Sequence, residues 1–152
     1  MAGKRQDIFY QAQDILSRRD HAEAEVRQKL RRKGFGGRDI EQAIHWLKQK
    51  HLLNDADFAQ RYVENVLQIK AVGPRWLLFK LRQKGVNSHL AEEAVRTAMS
   101  STDEGRLVEA AAITWKRQHG SRSHDRQRLA RFLLARGFSS EMVRAYVEQE
   151  GS

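Results

Sequence analysis

The sequence contains one six-residue phrase three times: LRRKGF at 30–35, LRQKGV at 81–86 and LLARGF at 133–138. Alignment of the three phrases on their glycines gives spacings of 51 and 52 residues. Apolar residues then recur eight and four positions before each glycine, directly after it, and ten positions beyond it. These positions hold Val26, Leu77, Leu129, Leu30, Leu81, Leu133, Phe35, Val86, Phe138, Ile44, Val95 and Val147. Agreement at this period indicates an internal repeat.

The spacing within each phrase predicts a corner between two helices. Apolar residues four positions apart lie on one helical face, and a glycine suits the left-handed residue that ends a helix. A basic residue precedes every glycine, where it lies near the negative end of the helix dipole. These residues are Lys33, Lys84 and Arg136. Asn87, Ser88, Ser139 and Ser140 are candidate caps for the helix that follows.

Each corner is preceded by a further stretch of helical periodicity, so the sequence predicts nine helices in three modules. We expect an all-α fold, an elongated tandem array of three three-helix repeats with helix-turn-helix-like corners. The predicted repeats span residues 1–54, 55–100 and 101–152. Two capping boxes are predicted, Asp20 with Glu23 and Ser101 with Glu104. The polar stretch HGSRSHD at 119–125 is expected to be the loosest connection.

The composition favours an anionic partner. The chain carries 28 Lys and Arg against 19 Asp and Glu, a net charge of +9. Such a balance is typical of proteins that contact polyanions or acidic protein surfaces. Cysteine is absent, which excludes disulfides and thiolate chemistry. No apolar run approaches the roughly 20 residues of a membrane span, and no secretory signal is evident. We expect a cytoplasmic monomer that does not engage a membrane.

The strongest candidate binding feature is a discontinuous basic stripe that recurs near all three corners. On each helix the cations lie opposite the apolar face. The stripe comprises Arg27, Lys29, Arg31 and Arg32, then Arg75, Lys80 and Arg82, then Arg126, Arg128 and Arg131. It could contact phosphates or acidic protein surface. The alternative is a solvated face, and helix-dipole compensation already accounts for Lys33, Lys84 and Arg136.

Catalytic and metal-binding motifs are not apparent. The segment GFGG at 34–37 lacks the strand and the terminal Lys-Ser/Thr of a phosphate-binding loop, so a turn is the better interpretation. The six histidines form no zinc-binding spacing. Trp46, Trp76 and Trp115 could stack on bases, but each lies near an apolar stripe, which favours packing in the core or between modules. We expect no enzymatic activity, no cofactor and no metal.

The chain resembles the RecX family, bacterial regulatory proteins of the RecA recombinase, over roughly residues 7–148. The resemblance rests on the repeated corners, on LLNDADFAQRYVENV and on VGPRWLLFKLRQKGV. Its most specific residues are Asp55, Phe58 and Ala59, then Gly73-Pro74, then Leu81 to Gly85. Asp57 and Leu52 depart from the family pattern, where a basic and an aromatic residue are usual.

The resemblance implies a non-enzymatic protein that binds the RecA–single-stranded-DNA filament and limits its activity in DNA repair, recombination and the SOS response. Two other functions stay open on the residues alone. One is a stand-alone DNA-binding protein, weak and indifferent to sequence, because the third helices present acidic or small outer residues. The other is a structural scaffold whose charge serves solubility.

Overall fold

The computed structural model describes residues 2–120 and 125–151, and over those residues the chain is entirely helical outside its turns. Nine helices lie within the described ranges, which confirms the all-α tandem-repeat prediction. They are α1 (Ala2–Arg18), α2 (Glu23–Arg32), α3 (Gly37–Gln49), α4 (Asp55–Ile69), α5 (Pro74–Gln83), α6 (Ser88–Ser100), α7 (Glu104–His119), α8 (Arg126–Ala135) and α9 (Ser140–Gln149). Most of the predicted loosest connection, at 121–124, lies outside the described residues.

Two compact units divide the chain. The first comprises Met1–Arg61 and Leu81–Ala91, and the second comprises Tyr62–Lys80 and Glu92–Ser152. These units group residues by packing, whereas the three repeats are defined by sequence. The repeat boundaries at 54 and 100 therefore stay a prediction.

Each unit has its own apolar core. In the first unit, α1, α2 and α3 pack on one another around Val26, Leu30 and Ile44. In the second unit, α7, α8 and α9 do the same around Trp115 and Leu133. Of the twelve recurring apolar positions, all are buried except Phe35 and Val147, which are half-buried. The residues that recur in the sequence are therefore mostly those that form the cores.

The three corner glycines adopt the left-handed conformation that the sequence predicts. Their φ values are +93° at Gly34, +84° at Gly85 and +88° at Gly137. In each corner the amide of the following apolar residue donates to a carbonyl five positions back, which closes the helix end. The distances are 3.3 Å for Phe35 to Leu30, 3.0 Å for Val86 to Leu81 and 3.3 Å for Phe138 to Leu133.

The ends of α2 and α7 differ from the prediction. Both capping boxes are wrong. The residue before α2 is Ala22, which has no capping side chain, and α7 is capped by Asp103, which accepts from the Arg106 amide. The first amide of α2, on Glu23, donates at 2.8 Å to the carboxylate of Asp55, the first residue of α4. A local motif could not have predicted a cap supplied from 32 residues away.

The predicted caps of the third helices are partly confirmed. Asn87 accepts from the His89 amide at 2.8 Å at the start of α6. Ser139 accepts from the Met142 amide at the start of α9. Ser88 and Ser140 are instead the first residues of those helices. None of the helices described at residues 2–120 and 125–151 is long and apolar enough to cross a membrane.

Candidate interface on the basic surface

Arg27 is the most strongly engaged cation of the predicted stripe. Its guanidinium donates to both oxygens of Glu41 on α3, at 2.6 and 3.1 Å, and to Glu23 at 3.0 Å. The hydrogen bond with Glu41 is the main reason that the pKa of Arg27 is raised above its usual value. The side chain is also only 25% exposed. Arg27 therefore ties α2 to α3, and its capacity to bind a further anion is small.

Lys29 is held by a residue that sequence reasoning missed. His21 is 3% exposed, and its Nε2 lies 2.7 Å from the Lys29 ammonium, while its Nδ1 lies 2.8 Å from the Arg19 carbonyl oxygen. Because an ammonium can only donate, His21 must accept at Nε2 and donate at Nδ1. Burial is the main cause that lowers the pKa of His21 below 6.5. A neutral, buried histidine thus orients Lys29.

The remaining cations of the first corner are exposed. Arg31, Arg32 and Lys33 lie on the last turn of α2 and its end. Among the described residues, no hydrogen bond or ion pair fixes any of these three side chains. A Cβ built at Gly34 would have no atom within 4 Å. The first corner is therefore an open cationic surface.

The second corner is covered. A Cβ at Gly85 would lie 2.3 Å from the Cβ of Ala24, so the turn between α5 and α6 presses on the start of α2. Lys84, directly before this glycine, lies 3.8 Å from the Glu25 carboxylate and is half-buried. The cation at this corner is consequently part of the packing between the first two repeats.

The third corner is covered more closely. A Cβ at Gly137 would lie 2.2 Å from the backbone nitrogen of Trp76, at the start of α5. Two backbone hydrogen bonds join the same segments: the Gly73 amide donates to the Arg136 carbonyl at 2.9 Å, and the Arg75 amide to the Gly137 carbonyl at 3.0 Å. Gly73 has no room for a side chain, because its Cβ would lie 2.3 Å from the Gly137 oxygen. This contact explains why residue 73 is a glycine.

The other stripe residues fall into different environments. Arg75 and Arg82 are exposed on α5, and Lys80 is half-buried with its ammonium 5.3 Å from the Trp76 ring centre. On α8, Arg128 pairs with Asp125 at 3.1 Å, and Arg126 lies against Gly151. Arg131 is exposed. The stripe is thus a set of separate cations, some of them engaged in local packing.

The three tryptophans act mainly in packing. Trp115 is 4% exposed and stacks on His119, with ring centres 4.3 Å apart. Trp46 packs on the core of the first unit, 5.1 Å from the Phe9 ring. Trp76 is half-buried against the third corner. These positions agree with the packing interpretation.

No group of three or more His, Cys, Asp or Glu residues within the described ranges could hold a metal ion. A groove between α7 and α9 is lined by charges of both signs, including Asp103, Arg106 and Glu109. The features that stand out are instead surfaces: an open cationic corner and the outer side of α5.

Over the described residues the chain is an all-α tandem-repeat protein with a basic surface. Comparison with known proteins makes this class specific. Three family models match in order: the first RecX three-helix domain at residues 10–47, the second at 54–107 and the third at 103–147. The chain therefore belongs to the RecX family of regulatory proteins.

Individual relatives agree with this assignment. Regulatory protein RecX of Prosthecochloris aestuarii is 34% identical over 134 residues, which cover 88% of this chain and 87% of that protein. Regulatory protein RecX of Pseudomonas putida is 34% identical over 139 residues, which cover 87% and 83%. The crystal structure of RecX from Lactobacillus salivarius superposes with a TM-score of 0.83 at 25% identity, covering 99% of this chain and 97% of that one.

Proposed function

We propose that this protein binds the RecA–single-stranded-DNA filament as a monomer and limits RecA activity, without catalysing a reaction itself. RecA enters the proposal through the resemblance to the RecX family, which implies regulation of RecA; the relatives themselves are named regulatory protein RecX. The surface charge of this chain is compatible with such a partner, because a nucleoprotein filament presents phosphates and acidic protein surface.

The observation that carries the proposal is the difference between the three corners. The same phrase occurs three times, yet Gly85 and Gly137 lie against neighbouring helices while Gly34 faces open space. Packing therefore accounts for two copies of the phrase, whereas the cations of the first, Arg31, Arg32 and Lys33, are exposed. Exposed cations on a helix end can engage phosphates with little cost, since they are neither buried nor paired.

The test is an assay of RecA-catalysed ATP hydrolysis on single-stranded DNA with sub-stoichiometric protein. We expect ATP turnover to fall as filaments shorten or stop growing. The double substitution Arg31→Glu with Arg32→Glu should weaken the effect strongly. Arg117→Glu with Arg144→Glu is a matched control, because it makes the same charge change at two exposed residues elsewhere. If the wild-type protein leaves RecA activity and filament length unchanged, the proposed function is wrong.

The control also addresses a simple effect of net charge. If both double variants lose activity equally, the first corner is not a specific contact and only total charge matters. Arg27 is omitted from the substitution because it joins α2 to α3, and its loss would confound binding with stability.

A stand-alone DNA-binding function makes a different prediction. In that case the protein would bind DNA equally well without RecA, and its effect on RecA would follow from competition for DNA. Raising the RecA concentration at fixed DNA would then relieve the inhibition, whereas a filament-binding protein would bind more as filament accumulates.

A further inference from the structure

The segment around α5 carries basic residues and no acidic ones. Residues 65–91 contain no Asp or Glu and include five Lys and Arg, the longest acid-free stretch of the chain. Three of these cations, Lys70, Arg75 and Lys80, lie within the second unit on α5 or the loop before it. Since like charges repel, such a stretch would not favour the fold by itself. An anionic ligand would account for it.

The same segment exposes two large apolar side chains. Phe79 is 58% exposed and Ile69 is 78% exposed. Trp76 precedes Phe79 by three residues and Lys80 by four, so both side chains lie next to Trp76 on one side of α5. Among the described residues, no ring or cation contact occupies the Phe79 ring. An aromatic face beside cations is consequently open to a ligand.

Trp76 has a different role, which is to position the cations. The ammonium groups of Lys70 and Lys80 lie 5.4 and 5.3 Å from its ring centre. Cation–π attraction of this kind restrains long, flexible side chains beside Phe79. The loss of side-chain freedom on binding a phosphate is therefore smaller than for unrestrained lysines.

The chemistry of this surface favours single-stranded nucleic acid over a protein partner. Protein interfaces carry aromatic and aliphatic residues at their centre and are depleted of lysine there. Here Arg75 and Lys80 lie on the same helix as the exposed Phe79 ring, and no acidic residue of the segment offsets them. Proteins that bind single strands combine these two elements, an aromatic ring on which a base stacks and cations that follow the backbone.

We propose that the outer side of α5 is a single-strand platform, in which a base stacks on Phe79 while Lys70, Arg75 and Lys80 contact the flanking phosphates. The platform adds a specific DNA contact to the proposed function. Its biological role rests on that function, whereas its binding to DNA can be tested separately. Recognition is indifferent to sequence, because every base has a face that can stack.

The experiment measures fluorescence anisotropy of a labelled oligothymidylate of about 16 nucleotides, the upper end of the site size of a single module, with no RecA present. Phe79→Leu keeps an apolar side chain and removes the ring, and we expect it to weaken binding about 5- to 150-fold, the range of one base–aromatic stack. Phe79→Tyr keeps the ring and should bind like the wild type. Lys70→Ala and Lys80→Ala should each reduce the slope of log K against log salt by about 0.7.

Tyr10→Leu is the matched control, because Tyr10 is 65% exposed on α1, in the other unit. It should leave DNA binding unchanged. The platform is overturned if Phe79→Leu binds DNA as tightly as wild type, or if Tyr10→Leu weakens binding equally. It is also overturned if Phe79→Leu binds free DNA normally but loses its effect on RecA, since Phe79 would then be a protein anchor.

Failure of the platform and failure of the proposed function give different results. Ring-dependent binding to free DNA by a protein that does not affect RecA would support the platform and refute the RecA role. An effect on RecA by Phe79→Leu equal to that of the wild type, with unchanged DNA binding, would refute the platform and leave the RecA role standing. Circular dichroism verifies that each variant is folded, as expected for changes at an exposed side chain.

Discussion

The three corner glycines provide a direct test of how the repeats pack, because alanine at each one meets a different environment. All three have φ near +90°, so an alanine carries the same backbone strain at each position. Only the surroundings differ. At Gly34 the added methyl group enters open space, whereas at Gly85 it lies 2.3 Å from the Cβ of Ala24. We predict that Gly85→Ala destabilises the protein more than Gly34→Ala does.

The magnitudes follow from two separate effects. A left-handed alanine costs about 1–2 kcal/mol, offset by about 0.4–1 kcal/mol because alanine restricts the unfolded chain. Gly34→Ala should therefore lower the free energy of unfolding by about 1 kcal/mol. Gly85→Ala adds a clash that neither methyl group can relieve by rotation, since Ala24 is fixed on α2. Overpacking of this kind costs about 1–3 kcal/mol more, which gives about 2–4 kcal/mol in total.

The clash can be isolated by removing its other partner. Ala24→Gly deletes the methyl group that Gly85→Ala would strike, so the double variant should recover the overpacking energy although Ala24→Gly alone costs about 1 kcal/mol within a helix. Urea unfolding followed by circular dichroism gives the four free energies of this double-mutant cycle. The expected coupling is about 1–3 kcal/mol and favourable. A coupling near zero, or equal losses for Gly34→Ala and Gly85→Ala, would refute the packing of the second corner on α2.

Three further predictions concern polar contacts between elements. Burial raises the pKa of Asp55 above 3.8, so the folded protein binds this proton more tightly than the unfolded chain, and stability falls as the pH rises from 3.8 through the raised pKa. Asp55→Asn keeps the acceptor for the Glu23 amide and should hardly change the free energy of unfolding at pH 7. Asp55→Ala removes the acceptor and should cost about 1 kcal/mol, measured by urea unfolding. Burial lowers the pKa of His21, so the stability that neutral His21 contributes is complete above pH 6.5 and is lost as the pH falls through the lowered pKa. His21→Gln should make this loss of stability at acid pH smaller, measured by thermal melts at a series of pH values. Arg27→Met keeps the aliphatic stem but removes the ion pairs with both carboxylates, and it should lower the free energy of unfolding by about 1 kcal/mol, with a smaller loss in high salt. An equal loss at all salt concentrations would contradict a stabilising role of the ion pairs.

The repeat was predictable from sequence because its recurring residues are the ones buried in the cores. Leu30, Leu81 and Leu133 are 0% exposed, and burial constrains such residues to a fixed spacing that an alignment on the glycines detects. The left-handed glycines were predictable for a similar reason, since few other residues adopt that conformation without strain. His51 is the exception, with φ of +57° at the end of α3, where the sequence offers no glycine.

The environment of each cation was not predictable, because it depends on neighbours that are distant in sequence. Arg27 and Arg31 are four residues apart on α2 and look equivalent in the sequence, yet only Arg27 forms a bidentate pair with Glu41. Lys29 differs from both because His21 is buried beside it. Helical periodicity identifies the side of a helix that faces water. It does not identify the acidic or aromatic side chain, distant in sequence, that contacts each cation on that side.

A charge count over whole repeats conceals the separation of charge around α5, where we propose a binding face. The predicted second repeat carries a modest net charge because its acids lie at Asp55, Asp57 and Glu64 and at Glu92 and Glu93, on either side of the acid-free segment. That segregation places the cations of α5 together with an exposed phenylalanine, whereas an even mixture of charges would serve solubility just as well. Phe79 is the discriminating residue, because a solvated basic face gains nothing from a ring that is 58% exposed to water. A ligand that covers the ring and neutralises the cations would remove both the exposure of the ring to water and the repulsion between the cations. A single strand of DNA offers a stacking face and a phosphate at every nucleotide.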